Sequence, residues 1–410
     1  MLYRLRSAGY AAFLVGGGVR DLLLGRYPKD FDVATDADPD EIQTLFRNCR
    51  LIGRRFRLAH VRFGRDVVEV ATFRASGAEP EDERAHSDRG RILRDNVYGA
   101  IDEDVWRRDF TVNALYYNIA DFSVWDYTHG FEDLRERTLR LIGDPETRYR
   151  EDPVRMLRAI RFAAKLDFKL ARETAAPLAT LGELLRDVPP ARLFDELLKL
   201  FQSGYAVKSF DLLLHYDLLR YLFNDTNALL ASPEREQIVD FIRRGLASTD
   251  ERVRDDKPIT PMFLYAVFLW FPIRALALKL QQEGWNDMHA MLEASQRILA
   301  AQQTTFPRRF SSPMKELLAM QWRFNQRQGA RAARLLEHKR FRAAYDFLML
   351  RAQCGEVDRE TADWWTEIQR LSPEEQQKLI GLRRREGKRR RRGRGRGRRA
   401  EHDQVNDVSP

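Results

Sequence analysis

The sequence predicts an α+β fold in which a small mixed head precedes a long all-helical region. Three observations carry this expectation. Over the first 140 residues, short apolar runs alternate with turn signals and helix starts, the texture of strands mixed with helices. From about Thr147 onward apolar residues recur at helical spacing and the strand signal disappears. With 44% hydrophobic and 11% aromatic residues, the 410-residue chain can bury a sizeable core. That excludes intrinsic disorder of the body, and the length suits about two to four domains or subdomains.

Taken in order, strand candidates lie at Ala12–Val15, Phe31–Ala34, Val67–Phe73 and Ser123–Tyr127. Asp38 before Pro39 reads as an N-cap with proline at the first helical position, ahead of Glu41–Phe46. Residues 75–90 have almost no apolar content and read as a mobile loop. Helical spacing then marks Arg155–Ala164, Leu193–Phe201, Phe210–Leu222, Pro261–Lys279 and Ala330–Leu350, separated by polar loops at 224–235, 247–261 and 303–313. No fixed-period repeat is present. The longest apolar run, Met262–Phe271, is bounded by Pro261 and Pro272 and is too short to cross a bilayer. No apolar leader follows the N-terminus, which excludes a signal peptide. Cys49 and Cys354 stand 305 positions apart, which supports neither a disulfide framework nor a zinc site. A reducing compartment, the cytoplasm, follows. The body aromatics Phe263, Tyr265, Phe268, Trp270 and Phe271 are expected in the core, and packing is also expected for Trp364–Trp365.

Charge is distributed unevenly. Residues 383–399 hold 12 basic residues and one acid for a net +11, residues 400–410 carry −3, and residues 1–382 come to +1. Like charges at that density stay solvated, so 383–410 reads as a disordered arm for a polyanion. Arg389, Arg390, Arg391, Arg392, Arg394 and Arg396, interleaved with glycine from 392 on, suit bidentate phosphate contacts on a flexible chain. The same arm could hold anionic lipid heads, which leaves peripheral membrane association open.

The sharpest local feature is Leu14-Val15-Gly16-Gly17-Gly18-Val19-Arg20-Asp21, followed by Lys29-Asp30-Phe31-Asp32. Glycines after a strand let successive backbone N–H groups approach a phosphate, and Arg20 adds a charge one turn into the helix. Alone, this is as consistent with an ordinary tight strand-to-helix turn, and a dinucleotide fingerprint fails at Asp21. On a strand Asp30 and Asp32 point to one face while Phe31 faces the core. Two adjacent carboxylates repel unless a cation lies between them, and Mg²⁺ with triphosphate oxygens would complete the shell; Mn²⁺ accepts the same ligands. A third acid could be Glu69, on the apolar strand Val67–Phe73, or Asp109, in Arg107-Arg108-Asp109-Phe110-Thr111. The residues alone do not choose.

In order, Gly16-Gly17-Gly18-Val19-Arg20-Asp21, Asp30-Phe31-Asp32, Arg107-Arg108-Asp109-Phe110-Thr111 and Glu151-Asp152-Pro153-Val154-Arg155 resemble the motif set of the class II nucleotidyltransferases. That family includes CCA-adding enzymes and bacterial poly(A) polymerases. The resemblance implies a polymerase-β-like head with a mixed five-stranded sheet, followed by helical neck, body and tail. The boundaries expected here are 1–142, 143–204, 205–305 and 306–382, with the arm at 383–410. It also implies roles: Asp30 and Asp32 as metal-binding catalytic acids, Asp109 as the third functional acid near the ribose, and Asp152 with Arg155 as readers of the incoming base. Adenine offers an N6 donor and an N1 acceptor, which a carboxylate and a guanidinium complement. Asp152, Arg155 and Arg158 lie three apart on one helical face.

Within the family the chain resembles the poly(A) polymerase branch. The carrying segments are residues 51–61 (LIGRRFRLAHV), Arg148-Tyr149-Arg150, residues 189–194 (PPARLF) and residues 339–346 (KRFRAAYD). One departure is that the chain begins close to the first motif, where the family usually has a further N-terminal segment. No His-Asp pair occurs outside His402-Asp403, so a phosphohydrolase domain is not expected; His60 and His129 read as structural. The implied activity is AMP transfer from ATP to RNA 3′ ends. The alternatives are CCA addition to tRNA and an inactive RNA-binding scaffold. The implied partners are RNA and ATP, with RNA-decay or RNA-chaperone proteins and no DNA, and the chain is expected to be a monomer.

Overall fold

The computed structural model describes residues 1–53, 57–75, 84–86, 92–95 and 98–381. The head opens with α1 (Leu2–Ser7), β1 (Ala12–Val15), α2 (Gly17–Leu23), β2 (Asp32–Thr35) and α3 (Pro39–Leu45). It continues through β3 (Cys49–Ile52), β4 (Leu58–Phe63), β5 (Asp66–Thr72), β6 (Arg84–His86), β7 (Ile92–Asp95) and α4 (Ile101–Arg107). It closes with β8 (Leu115–Asn118), β9 (Val124–Asp126), α5 (Gly130–Glu136) and β10 (Thr138–Leu139). The main sheet has seven strands in the order β3-β4-β5-β2-β1-β8-β9, mixed because β2 and β5 run parallel.

Alternating side chains bury both faces of this sheet. Ala12 and Val33 join Leu5, Ile42 and Phe46 on one side; Phe13 and Ala34 join Val105, Ala114 and Tyr116 on the other. Asp38 caps α3 through the N–H groups of Asp40 and Glu41, and Glu41 returns the bond to the Asp38 N–H, the reciprocal box expected of this sequence.

The helical region begins with α6 (Pro145–Glu151), α7 (Val154–Leu166), α8 (Arg172–Ala175), α9 (Leu178–Leu181), α10 (Pro190–Phe201) and α11 (Ala206–His215). Then come α12 (Asn224–Leu229), α13 (Arg235–Arg254), α14 (Pro261–Gln282), α15 (Asp287–Ala301) and α16 (Arg308–Met320). It ends with α17 (Gly329–Leu336), α18 (Phe341–Gln353), α19 (Arg359–Ile368) and α20 (Pro373–Leu379). One continuous apolar core runs from Phe110 and Leu157 through Phe268 to Trp365. Trp365 is fully buried, donating to the Phe324 carbonyl at 2.8 Å, and Trp364 packs against the same core.

Several expectations need correction. The sheet has seven strands where five were expected: β3 and β4 carry Arg50, His60 and Arg62, so no apolar run announces them. Part of the polar segment 75–90 forms a strand, β6, paired antiparallel with β7; residues 76–83 and 87–90 lie outside the described residues. A short parallel pair, β10 with β11 (Lys169–Leu170), persists beyond Thr147. Phe31 precedes β2 and is 37% exposed, against Gly18, so it does not face the core. The loops expected at 224–235 and 247–261 are largely helical, because α13 buries Ile238, Phe241, Ile242, Leu246 and Thr249 beneath a polar outer face. Likewise α16 begins within 303–313, and Ala330–Leu350 breaks into α17 and α18.

The apolar run at 262–271 is also part of a longer element. Helix α14 passes through Pro272 to Gln282. By length and composition it could cross a membrane, yet most of it is buried in the core. Proline lacks the N–H that would serve the carbonyl of Phe268, four residues earlier. The buried Thr226 hydroxyl of α12 supplies that bond at 2.6 Å.

The arm at 383–410, including Arg389 to Arg396, and residues 54–56 of the 51–61 segment lie outside the described residues.

Candidate active site

Val15 pairs with Asp32 across β1 and β2, so the chain leaves β1 beside the two aspartates. Gly16 then takes φ 71° and ψ −135°, a conformation open to glycine and costly for other residues. This turn brings the backbone to Asp32 and Arg108: a Cβ on Gly16 would stand 3.7 Å from Asp32 Oδ2 and 3.8 Å from Arg108 Nη1. The Arg20 N–H bonds the Gly16 carbonyl at 3.2 Å, leaving the N–H groups of residues 17–19 without an intrahelical acceptor.

A cavity of about 550 Å³ opens here, lined by Gly16, Gly17, Arg20, Asp30, Asp32, Asp109, Asp152, Arg155 and Arg158 among others. Four separate sequence motifs thus converge on one space. Gly18 and Glu69 do not line it. Gly18 packs its backbone on Asp30 and Phe31. Glu69 sits beside Asp32 on the neighbouring parallel strand and meets His60 Nε2 at 3.2 Å.

The carboxylates sit in contrasting surroundings. Burial, reinforced by Glu69 and Asp30, pushes Asp32 up to about 6, and only the Arg108 charge opposes this. Such a carboxyl group is short of positive charge. Asp109 is the reverse. Burial alone would raise it, but Arg158, Asn113 and the Phe110 N–H together carry it down to about 2. Arg158 donates through Nε at 2.8 Å and Nη2 at 2.5 Å to Asp109 Oδ2, and Asn113 donates to Oδ1 at 3.1 Å. Of the two candidates for a third acid, Glu69 is the one adjoining Asp32, while Asp109 is tied to its arginine. Among the described residues no group of three or more acid, His or Cys side chains converges on one point. The Asp30–Asp32 pair still fits Mg²⁺, which commonly takes one or two carboxylates and fills its octahedron with water and phosphate oxygens.

Base-reading candidates are braced from behind. Arg192 at the start of α10 donates to Asp152 Oδ2 at 2.7 Å. Arg155 uses Nη1 to hold Glu151 at 2.8 Å and the Arg148 carbonyl at 2.7 Å. Arg148 in turn bonds the carbonyls of Arg107 and Arg108 at 2.9 and 2.6 Å, tying α6 to the loop that carries Asp109. Arg20 is only 2% exposed and is held by Asp21 and Asn113 at 2.8 and 2.5 Å. Its guanidinium is committed to these two side chains while still lining the cavity. Arg108 is fixed against Tyr116 and Asp104 at 2.6 and 2.9 Å, with its guanidinium 4.8 Å from the Tyr116 ring centre.

Sequence reasoning missed Lys29, Asn113, Arg161, Phe162 and Lys165 as cavity residues, and assigned no role to Arg107 or Arg108. Phe162 stacks under three guanidiniums, those of Arg20, Arg158 and Arg161, at 5.3, 5.3 and 4.6 Å. The readable signal was the continued three-to-four-residue spacing of Arg155, Arg158, Arg161 and Lys165 along α7. In all, eight basic and five acidic side chains line the cavity. This surplus suits a polyphosphate ligand.

Comparison with known proteins adds three family matches. Residues 12–140 match the poly A polymerase head domain, residues 167–230 a probable RNA and SrmB-binding site of polymerase A, and residues 283–399 the polymerase A arginine-rich C-terminus. The chain is 48% identical to poly(A) polymerase I of Salmonella typhi, over 93% of this chain and 83% of that protein. It is also 48% identical to that of Haemophilus influenzae, over 92% and 85%. A CCA-adding enzyme of Levilactobacillus brevis is 39% identical over half of each chain. Among solved structures, a tRNA nucleotidyltransferase complexed with a primer tRNA and an incoming ATP analog superposes with a TM-score of 0.61 at 23% identity, covering 90% of this chain and 98% of that one. It shares the fold.

Proposed function

Because the chain belongs to the bacterial poly(A) polymerase I family, we propose that the cavity between head and α7 is where it joins AMP from ATP to RNA 3′ ends. The chain is a polynucleotide adenylyltransferase, and it needs no template. The observation that carries this over CCA addition is sequence coverage: poly(A) polymerase I aligns over 93% of the chain at 48% identity, the CCA-adding sequence relatives over about half at lower identity.

In this reading the RNA 3′-hydroxyl attacks the α-phosphorus of ATP and pyrophosphate leaves. Asp152 accepts from the adenine N6 amino group, and Arg155 donates to N1. Arg192 holds Asp152 in place for this, and Glu151 holds Arg155. The glycine turn presents its N–H groups to the triphosphate, with Lys29, Arg161 and Lys165 as counter-charges. Asp109, fixed by Arg158, would accept from the ribose. Asp30 and Asp32 would hold divalent metal, with Glu69 adjoining; bound there, Mg²⁺ supplies a lowered pKa for the attacking hydroxyl and charge neutralisation for the leaving group. Head, neck, body and tail would divide at residues 142, 204 and 305, and the arm beyond 382 would hold RNA by phosphate neutralisation. The family match at 167–230 is where protein partners would dock.

The test is an unstructured RNA primer offered each nucleotide separately. Extension with ATP, lost in the double variant Asp30→Ala/Asp32→Ala, is the expected result. Extension retained by that variant would overturn the assignment, and efficient CMP addition that stops after the tRNA terminus is rebuilt would favour the CCA-adding alternative.

A further inference from the structure

Far along the chain from the catalytic motifs, the body carries a second basic recess. It consists of two adjoining hollows of about 480 and 220 Å³ that share Ser248, Arg252, Phe263, Arg342 and Asp346. Its walls are α13, the turn at 255–260, the first turn of α14 and the segment 339–346, whose KRFRAAYD sequence has no place in the chemistry described above. No residue is common to this recess and the catalytic cavity.

Charge sets the recess apart. Six basic and three acidic side chains line the two hollows, a surplus of three, whereas residues 1–382 together net only +1. Half of the six cations are spent on carboxylates, Arg244 on Asp240, Lys257 on Asp255 and Arg342 on Asp346 at 2.7, 2.8 and 3.1 Å; Arg252, Lys339 and Arg340 are not so closely paired. Arg252 donates through Nε and Nη2 to the neutral Pro258 carbonyl at 3.0 and 2.9 Å. Arg340 Nε is buried without a hydrogen bond, with Glu316 only at 3.8 Å. Among the described residues no carboxylate pairs with Lys339. Between these cations the floor is apolar, with Phe263 common to both hollows. Cations flanking an aromatic floor are the requirement of single-stranded nucleic acid, whose phosphates want arginine and whose bases want a face to stack on. A lipid surface would instead meet projecting basic residues, not a recess.

We propose that this recess binds the single-stranded RNA upstream of the 3′ end, as a second contact for the growing product. The inference rests on the reading of the chain as an RNA-extending enzyme. Helix α11 packs on both α7 and α13. The recess therefore stands about two helix spacings, each roughly 8–10 Å, from the nucleotide-reading helix. A strand leaving the cavity would reach it only after some length, so short primers should not use it.

The experiment compares the full-length chain with the triple variant Arg252→Gln/Lys339→Gln/Arg342→Gln. Binding of a labelled oligoadenylate of about 20 nucleotides, longer than one typical single-strand site, is followed by anisotropy across a KCl series. Each lost phosphate contact lowers the slope of log K against log salt by about 0.7, so the slope should fall by about 2 and affinity by roughly tenfold or more. KM for the long primer should rise, with kcat on a trinucleotide primer unchanged. Glu251→Lys, which adds charge at the rim, should tighten binding and steepen the slope, a gain that misfolding cannot produce. An unchanged slope in the triple variant overturns the proposal. So does equal damage to long and trinucleotide primers. Failure of the parent reading looks different, because then even the wild-type chain extends neither primer with ATP.

Discussion

The bond from Thr226 to the Phe268 carbonyl exists because Pro272 removes the helix's own donor, and this can be tested as a coupling. Thr226 is fully buried, so Thr226→Val keeps the shape and deletes the hydroxyl. The carbonyl is then buried without a partner, which costs about 1–3 kcal/mol. In a Pro272→Ala background the alanine N–H can serve the same carbonyl, and the valine substitution should cost well under about 1 kcal/mol. The double-mutant cycle should therefore show about 1–2 kcal/mol of coupling. Urea unfolding followed by the helical circular dichroism signal reads it. With a slope of about 2 kcal/mol per molar, Thr226→Val should lower the midpoint by roughly half a molar or more. Costs that add to within about 0.5 kcal/mol would refute the idea that the hydroxyl replaces a missing helix bond.

The remaining predictions concern the cleft. Asp109→Asn removes the carboxylate that Arg158 holds, and at neutral pH should destabilise the fold by on the order of 2 kcal/mol. Because the folded carboxyl is held at about 2, below its ordinary 3.8, that stability is complete above pH 4 and fades as pH falls toward 2. Urea midpoints from pH 7 downward should therefore differ most at neutral pH, and a difference that widens on acidification would contradict this. Arg192→Met frees Asp152 from its 2.7 Å brace, so kcat/KM for ATP relative to CTP should fall by roughly tenfold or more. An unchanged ratio would show that Arg192 does not set base choice.

How much of this was legible in the sequence differs by element. The glycine turn and paired aspartates were readable because each rests on backbone demands that few residues meet: a left-handed glycine at 16, two carboxylates two apart at a strand entry. Asp38-Pro39 announced α3 for the same reason. Strands β3 and β4 were not, since each is short and Arg50, His60 and Arg62 break up their apolar residues, leaving no apolar run to mark them. Helix α14 was readable through Pro272 from its spacing over Pro261–Lys279, but the partner that serves the carbonyl the proline leaves free, Thr226, is 42 positions away on a different helix and was not. Likewise the braces on the site, Arg192 to Asp152 and Arg148 to the carbonyls of 107 and 108, span about 40 residues. Spacing rules see one element at a time, and these bonds join two.

Helix α7 has a consequence for how errors are punished. One edge carries Arg155, Arg158, Arg161 and Lys165, and the adjoining edge is locked into the core by Val154, Leu157, Ile160 and Ala163. If these cations read the base and hold phosphate as proposed, both tasks are mounted on a single rod about 15 Å long from first to last of these residues. The rod cannot yield at one end without moving the other, so in the proposed reading a base that sat askew at Arg155 would pull its own phosphates off alignment near Lys165. Discrimination should then be felt in turnover as much as in affinity. A one-residue slip would swing every cation by about 100°, so the helix admits no partial adjustment.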